Sequence, residues 1–275
     1  MAQDLEWTAP VMRAGYAGRG LVYLAVAGFS LWAIWQGGSA EGTGSALARL
    51  ENSTWGKAVL VAIAIGLAAY AAWRVIDAWF DLEDHGTEAK GLVARAGMVV
   101  TGLIHLALGV AAISVLFGSG GGGGGESSLA KAASAVMQWP GGRWLVGIAG
   151  VLTIGAAVYY ANKAWKASYR KNLYGNEATR RFNTLLRIGV AAQAVIVGVV
   201  GGFLVTAALR SNPQEAGGVG EVFDWLASQP FGNALVIALC LGLLAFAFFL
   251  FVNAAYRIIP KLADDKPVTL KSTLG

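Results

Sequence analysis

The sequence predicts an all-α integral membrane protein. Six transmembrane helices form three parallel helix–loop–helix repeats in a pseudo-threefold bundle, and each repeat carries a short extracytoplasmic interfacial helix. Three observations predict this. Of 275 residues, 56% are apolar and only 13% charged, against roughly 25% charged in a soluble domain. Six stretches approach the ~20 apolar residues needed to cross a hydrocarbon core about 30 Å thick. The patterns that open and close those stretches recur three times along the chain.

The stretches are Gly18–Trp35, Ala58–Phe80, Ala96–Phe117, Trp144–Trp165, Ile188–Leu209 and Asn233–Ile259. Buried helices of a soluble α-protein would show polar stripes at helical spacing, and these stretches lack them. The first begins late and has no small-residue cleavage site, so it reads as a span and not as a secretory signal. The loops set the orientation. Arg13, Arg19, Arg74, Lys90, Arg95, the seven basic residues from Lys163 to Arg187, and Arg257, Lys261, Lys266 and Lys271 place 16 of the 21 Lys and Arg on one face. An excess of basic residues marks the cytoplasmic side. Both termini are therefore expected in the cytoplasm of a bacterial cell, with the protein in its plasma (inner) membrane. Trp32, Trp35, Trp79, Trp139, Trp144, Trp165 and Tyr169 sit at the boundaries as an interfacial aromatic belt.

The repeats are 10–85, 92–172 and 184–261, followed by a cytoplasmic tail at 262–275. Arg13-Ala14-Gly15, Arg95-Ala96-Gly97 and Arg187-Ile188-Gly189 open the odd spans. With those arginines aligned, Gly20 falls on Gly102 and Ala194, and Ala27 on Gly109 and Gly201. Polar, glycine-rich stretches follow, then short amphipathic segments at 46–52, 129–138 and 221–229. Turns at Gly56, Gly142 and Gly232 launch the even spans, which end with Ala78, Ala164 and Ala254 in one column. Two spans per unit give every unit the same orientation, so rotation about the membrane normal can relate them. A pseudo-threefold bundle is the simplest closed packing, and a linear row of three hairpins is the alternative. Arg13 and Gly20 lie seven residues apart on one helix face. The arginine suits the cytoplasmic headgroups, and the small residue lets a neighbouring backbone approach. Gly198 and Gly202 add a GxxxG pair, read as packing within one protomer.

Arg13, Gly15, Tyr16, Arg19, Gly20 and Tyr23 spell R-x-G-Y-x-x-R-G-x-x-Y at the head of an apolar run. With the three repeats and the Pro-Phe-Gly turn at Pro230–Gly232, this resembles the bacterial membrane-protein family called domain-of-unknown-function family 1206, from about residue 10 to residue 260. The resemblance implies three two-helix repeats and a membrane location, and no activity or catalytic residues. Repeats two and three depart from the pattern: Met98, His105, Val190 and Val197 replace the tyrosines, and Thr101 and Gln193 replace the second arginine.

Little else carries chemistry. The run Gly120–Gly125 lacks the Gly-Lys-Ser or Gly-Lys-Thr of a phosphate loop and reads as a tether. One cysteine and two histidines exclude a disulfide framework and leave little room for a metal site. No carboxylate lies in the apolar core of a span, where proton-driven transporters keep them. Arg74 and Asp77, an i,i+3 pair, read as an interfacial anchor. Asp81 to His85 with Glu88 read as a solvated acidic loop that pairs with the basic stretch Arg170–Arg187. His105 lies about 15 Å beyond Arg95, near mid-bilayer. Its readings are an interhelical hydrogen bond, a pore or substrate contact, and haem ligation, which lacks a second histidine at that depth.

No catalytic, metal or cofactor-binding set emerges. The residues singled out are Arg13, Tyr16, Arg19, Gly20, Arg74, Asp77, His105 and Gln193. The leading expectation is a non-enzymatic scaffold or accessory subunit that binds membrane proteins or lipids. The alternative is a small-solute transporter or channel along the threefold axis. Expected partners are anionic lipid headgroups at the cytoplasmic face and a membrane-protein partner or a second copy of the chain, not nucleic acid. A closed axis of small apolar residues favours the scaffold. A wet cavity lined by His105 and Gln193 favours transport.

Overall fold

The computed structural model describes residues 5–51, 54–117, 128–263 and 267–274. The glycine run Gly120–Gly125 lies outside them. Six long helices are α1 (Thr8–Trp35), α3 (Thr54–Phe80), α4 (Ala89–Leu116), α6 (Gly142–Trp165), α8 (Asn183–Arg210) and α10 (Gly232–Tyr256). All six are long and apolar enough to cross a membrane. Short helices α2 (Thr43–Glu51), α5 (Ser128–Met137) and α9 (Val219–Ala227) occupy the amphipathic segments, and α7 (Glu177–Arg181) and α11 (Leu270–Leu274) lie at the opposite end with the termini. The odd helices begin well before their apolar runs: Arg13, Arg95 and Arg187 are already helical. Counting apolar residues measures the bilayer slab, whereas helices continue as long as backbone hydrogen bonds persist.

The spans form a ring in the order α1, α3, α4, α6, α8, α10. Five neighbouring pairs pack extensively: α1 with α3, α3 with α4, α6 with α8, α8 with α10, and α10 with α1. This is the order a threefold arrangement demands, with each odd helix wedged between the even helix of its own repeat and that of the preceding one. The sixth pair, α4 with α6, has no comparable interface. The expected closed bundle is therefore open on one side, and that side lies within repeat two.

Two glycine columns explain both the ring and its gap. The Gly20 column faces the preceding repeat. A Cβ added at Gly20 would lie 2.8 Å from the Phe251 ring of α10, and one at Gly102 3.3 Å from the Ala71 oxygen of α3. In repeat three the column reads Ala194, and Gly201, two turns further on the same face, would place a Cβ 2.8 Å from the Ile154 side chain of α6. A second column faces the repeat's own even helix. A Cβ at Gly18 would lie 2.6 Å from Gly66 Cα, and one at Gly242 would lie 2.5 Å from the Ala192 methyl. With the repeats aligned, Gly18 corresponds to Val100 and Ala192, and Gly66 to Leu152 and Gly242. Repeats one and three thus meet through Gly–Gly and Ala–Gly, while repeat two offers Val100 and Leu152, both exposed. Gly15 and Gly189 likewise touch the backbone at Tyr70 and Phe246, whereas their counterpart Gly97 has nothing within 4 Å. Lipid tails are as apolar as Leu, so spans associate where backbones can approach. Bulky pairs remove that possibility. The GxxxG reading holds in part, since Gly198 faces Ala157 of α6 while Gly202 faces nothing within 4 Å.

The opening arginines do more than face headgroups. Arg95 donates from Nε to the Ala78 carbonyl (2.6 Å) and from Nη2 to that of Trp79 (3.2 Å). Arg187 does the same to Ala164 (2.8 Å) and Trp165 (2.9 Å). Each satisfies the last carbonyls of the preceding even helix, which have no partner within it and carry the negative end of its dipole. The arginine column and the alanine column are thus one device that joins successive repeats. Arg13 is exposed and makes no such bond among the described residues.

α2 and α9 cap the bundle opposite the termini. α2 buries Ala46, Leu47 and Leu50, α9 buries Val222 and Phe223, and Gly42 meets Gly220 where the two begin. Trp225, three residues after Val222 on the same helix, is exposed, and Phe223 is the aromatic residue that α9 buries. Residues 267–274 are docked: Leu270 N–H donates to the Leu173 carbonyl (2.8 Å) and Gly175 N–H to that of Val268 (2.9 Å), with Leu270 buried.

Gly66→Leu places in repeat one the residue that repeat two carries. It is expected to destabilise the purified protein by about 2 kcal/mol or more by forcing α1 from α3, measured by reversible unfolding in mixed micelles. Leu152→Ala, on the open side, should change the same midpoint by less than about 1 kcal/mol.

Candidate functional site in the bundle interior

A polar network fills the bundle interior toward the end that carries the termini. Arg74 is its hub. Its Nε donates to Tyr70 Oη (2.8 Å), Nη1 to Asp77 Oδ2 (3.1 Å) and Nη2 to Tyr16 Oη (3.2 Å). From α1, Arg19 Nη1 donates to the same Tyr70 Oη (2.8 Å), with its guanidinium over the ring, 4.5 Å from the centroid. The network then crosses to the end of α10. Arg257 holds Glu83 Oε1 with Nε (3.0 Å) and Nη2, and donates from Nη1 to Asn253 Oδ1 (2.8 Å). Glu83 N–H in turn donates to Asp77 Oδ1 (3.0 Å). α1 lies between α3 and α10, so the ends of those two helices meet beside it, which brings Glu83 to a residue 174 positions away.

The structure therefore brings together Tyr16, Arg19, Arg74 and Asp77 from the sequence analysis. Gly20 lies beside Phe251 at a helix contact, and Arg13 stays outside the network. Arg74 and Asp77 pair as expected but not as an interfacial anchor, because Asp77 is 1% exposed. The acidic loop also departs from expectation. Glu83 is buried and Asp81 pairs with Lys261 (3.5 Å), so the partners lie after the sixth span and not at Arg170–Arg187. Tyr70, Glu83, Asn253 and Arg257 were not anticipated. Tyr70 and Arg74, and Asn253 and Arg257, stand at i,i+4, a spacing that places both on one helix face.

His105 is buried, but its hydrogen bond is not interhelical. Nδ1 lies 2.7 Å from the Thr101 carbonyl of its own helix, and the ring packs on Tyr70 at 4.8 Å between centroids. A carbonyl can only accept, so Nδ1 carries the proton and Nε2 is left as an acceptor. Gln193, which occupies Arg19's position in repeat three, is buried with Oε1 unpartnered. A cavity of about 90 Å³ lies among α1, α3 and α4 beneath α2 and α9. Arg19 and His105 line it, and Gln193 does not.

Charge separates the two ends of the network. Asp77 and Glu83 are both engaged with Arg74 and Arg257, while Lys163 faces the rings of Tyr159, Tyr160 and Phe249 at about 6 Å. Arg19 has no carboxylate partner among the described residues. Burial alone would raise the Glu83 carboxyl, but Arg257 and then Arg74 outweigh it and hold it at about 2, below the ordinary 4.5. No group of three or more His, Cys, Asp or Glu suited to a metal occurs among the described residues.

The chain belongs to the family described as Domain of Unknown Function (DUF1206), whose profile matches three times, at residues 14–81, 96–167 and 188–257. It is also similar to the protein named "Uncharacterized protein YxxB" of Bacillus subtilis (strain 168), with 27% identity over 255 residues, 91% of this chain and 92% of that protein. No solved structure matches the chain.

The Glu83 carboxyl gives a signed pH dependence. Its pKa is lowered on folding, so its stabilisation is complete above about 4.5 and disappears as pH falls towards about 2. The thermal midpoint of the wild type should fall between pH 5 and pH 3, where a Glu83→Gln variant, already lower because Arg257 is left buried without its carboxylate, should change less. Parallel curves for the two proteins would remove Glu83 from this role.

Proposed function

We propose that the protein is a non-enzymatic accessory subunit or scaffold of the bacterial plasma membrane, with the open side of repeat two as the seat for a partner's transmembrane helix. One observation carries the reading. In repeats one and three, the faces equivalent to Gly97, Val100, Leu152 and Ala156 are occupied by the repeat's own second helix, whereas in repeat two both faces are exposed at membrane depth. Side chains from Val100 and Leu152 keep α4 and α6 from each other and leave an apolar groove between two rigid walls. A partner with small residues on one face suits the exposed glycine at position 97. The face with both termini and most basic residues is read as cytoplasmic. There Lys166, Lys171, Arg180 and Arg181 are exposed for anionic headgroups.

A second reading, a path for a small solute, is favoured by the interior cavity at Arg19 and His105. Against it stands the closure at both ends: α2 and α9 cap one, and the Arg74–Asp77–Glu83–Arg257 network fills the other.

A photo-crosslinking residue at Val100 or Leu152 is expected to give one protein adduct of fixed mass in cells, while the same residue at Ile65, exposed on α3, should not. Adducts with lipid alone at all three positions would reject the partner-helix reading. Orientation is tested separately in a Cys240→Ala background. Cysteine in place of Gln138 should label with an impermeant reagent from outside intact cells, and in place of Lys171 should not. The reverse pattern inverts the topology.

A further inference from the structure

Among the buried arginines of the interior, Arg19 differs in one respect. Arg74 and Arg257 each engage carboxylates. Arg257 does so with the Nε–Nη2 edge of its guanidinium, the side-on fork that matches a carboxylate. Arg19 is 4% exposed, and of its five N–H groups only those on Nη1 find an acceptor among the described residues. Its Nε is buried with no partner. The edge that Arg257 uses for Glu83 is thus free in Arg19. The face of Tyr70 attracts the cation, but this does not replace the hydrogen bonds a buried guanidinium loses on leaving water.

The surroundings of Arg19 are also specific. The cavity that Arg19 lines continues along α1 past Val22 and Val26. These residues lie three and seven positions further on the same helix face, so the lining extends about 10 Å along α1 from Arg19. Leu67 and Leu108 form its other walls, and Tyr23 and His105 are its polar neighbours near the arginine. A site with a charged fork at one end and aliphatic walls along its length matches a ligand with the same division.

We propose that Arg19 and this cavity bind a monocarboxylate carrying an aliphatic chain, its carboxylate on the Nε–Nη2 edge of Arg19 and its chain along Val22 and Val26. The site is separate from the groove of repeat two, because neither Val100 nor Leu152 lines it. The two proposals therefore fail independently: the crosslinks report on α4 and α6, and ligand titration reports on Arg19.

The test titrates the full chain in nanodiscs with carboxyl-¹³C-labelled octanoate, palmitate and acetate and with inorganic phosphate, using protein-free nanodiscs as the blank. Saturable binding of octanoate or palmitate is expected, with acetate at least tenfold weaker. A tighter octanoate identifies a soluble acid as the ligand, and a tighter palmitate an acid drawn from the bilayer. Arg19→Gln should weaken the bound acid at least tenfold while size-exclusion profile and helicity stay unchanged. Arg19→Lys keeps the charge, loses the fork, and should fall between the two. If Arg19→Gln does not fold, the Lys variant and the acetate comparison still decide. No saturable binding of either acid, acetate as tight as octanoate, displacement by equimolar phosphate, or full affinity in the Lys variant would each overturn the proposal.

Discussion

The close approach of helix backbones is the constraint on which this structure depends. In water, apolar helices are driven together by burial. In hydrocarbon that force is absent, and association relies on van der Waals packing and polar contacts. The chain meets this requirement with two columns of mostly small residues on its odd helices, one aimed at the repeat's own second helix and one at the repeat before it. The order of the ring follows from those two directions. So does its break, since the column aimed inward in repeat two reads Val100 opposite Leu152, where repeats one and three read Gly18 opposite Gly66 and Ala192 opposite Gly242.

Ends of helices supply a second constraint. Each even span must satisfy its last carbonyls where no water is assured, and an arginine at the head of the next repeat does so for α3 and α6. Beside α10 the next helix round the ring is α1, whose Arg13 makes no such bond among the described residues. The C-terminus of α10 is instead tied by Arg257 to Asn253 and Glu83, which closes the circle against the loop after α3. Arg257 thus takes the place of the Arg13 contact, and the polar network arises where the ends of α10 and α3 meet beside α1.

How much of this was legible in the sequence depends on range. The six spans and the small-residue column at Gly20 follow from composition and periodicity, which are local. The Arg74–Asp77 pair follows from spacing. Its burial does not, because nothing in residues 70–85 shows that Arg257 stands opposite. The gap in repeat two was within reach: aligning Gly66 with Leu152 reveals a bulky residue in a glycine column, but the reading requires knowing which column faces which neighbour. His105 shows the opposite limit. It lies within α4, and its hydrogen bond went to its own helix because the carbonyl four residues back is close by, whereas a donor or acceptor on another helix depends on packing.

Divergence within the repeat explains why the interior is asymmetric in a pseudosymmetric protein. Asp77, Lys163 and Asn253 occupy one column of the even spans, and Arg19, Thr101 and Gln193 one column of the odd spans. Three identical charges on a threefold axis would repel one another at low dielectric, so an identical repeat could not hold an arginine there. Replacing two of the three by neutral side chains removes that repulsion and leaves Arg19 alone at its level, with the two carboxylates of the interior committed elsewhere to Arg74 and Arg257. Copies that keep their glycines preserve the ring. Copies that differ at the axis concentrate unpaired positive charge at one position in it.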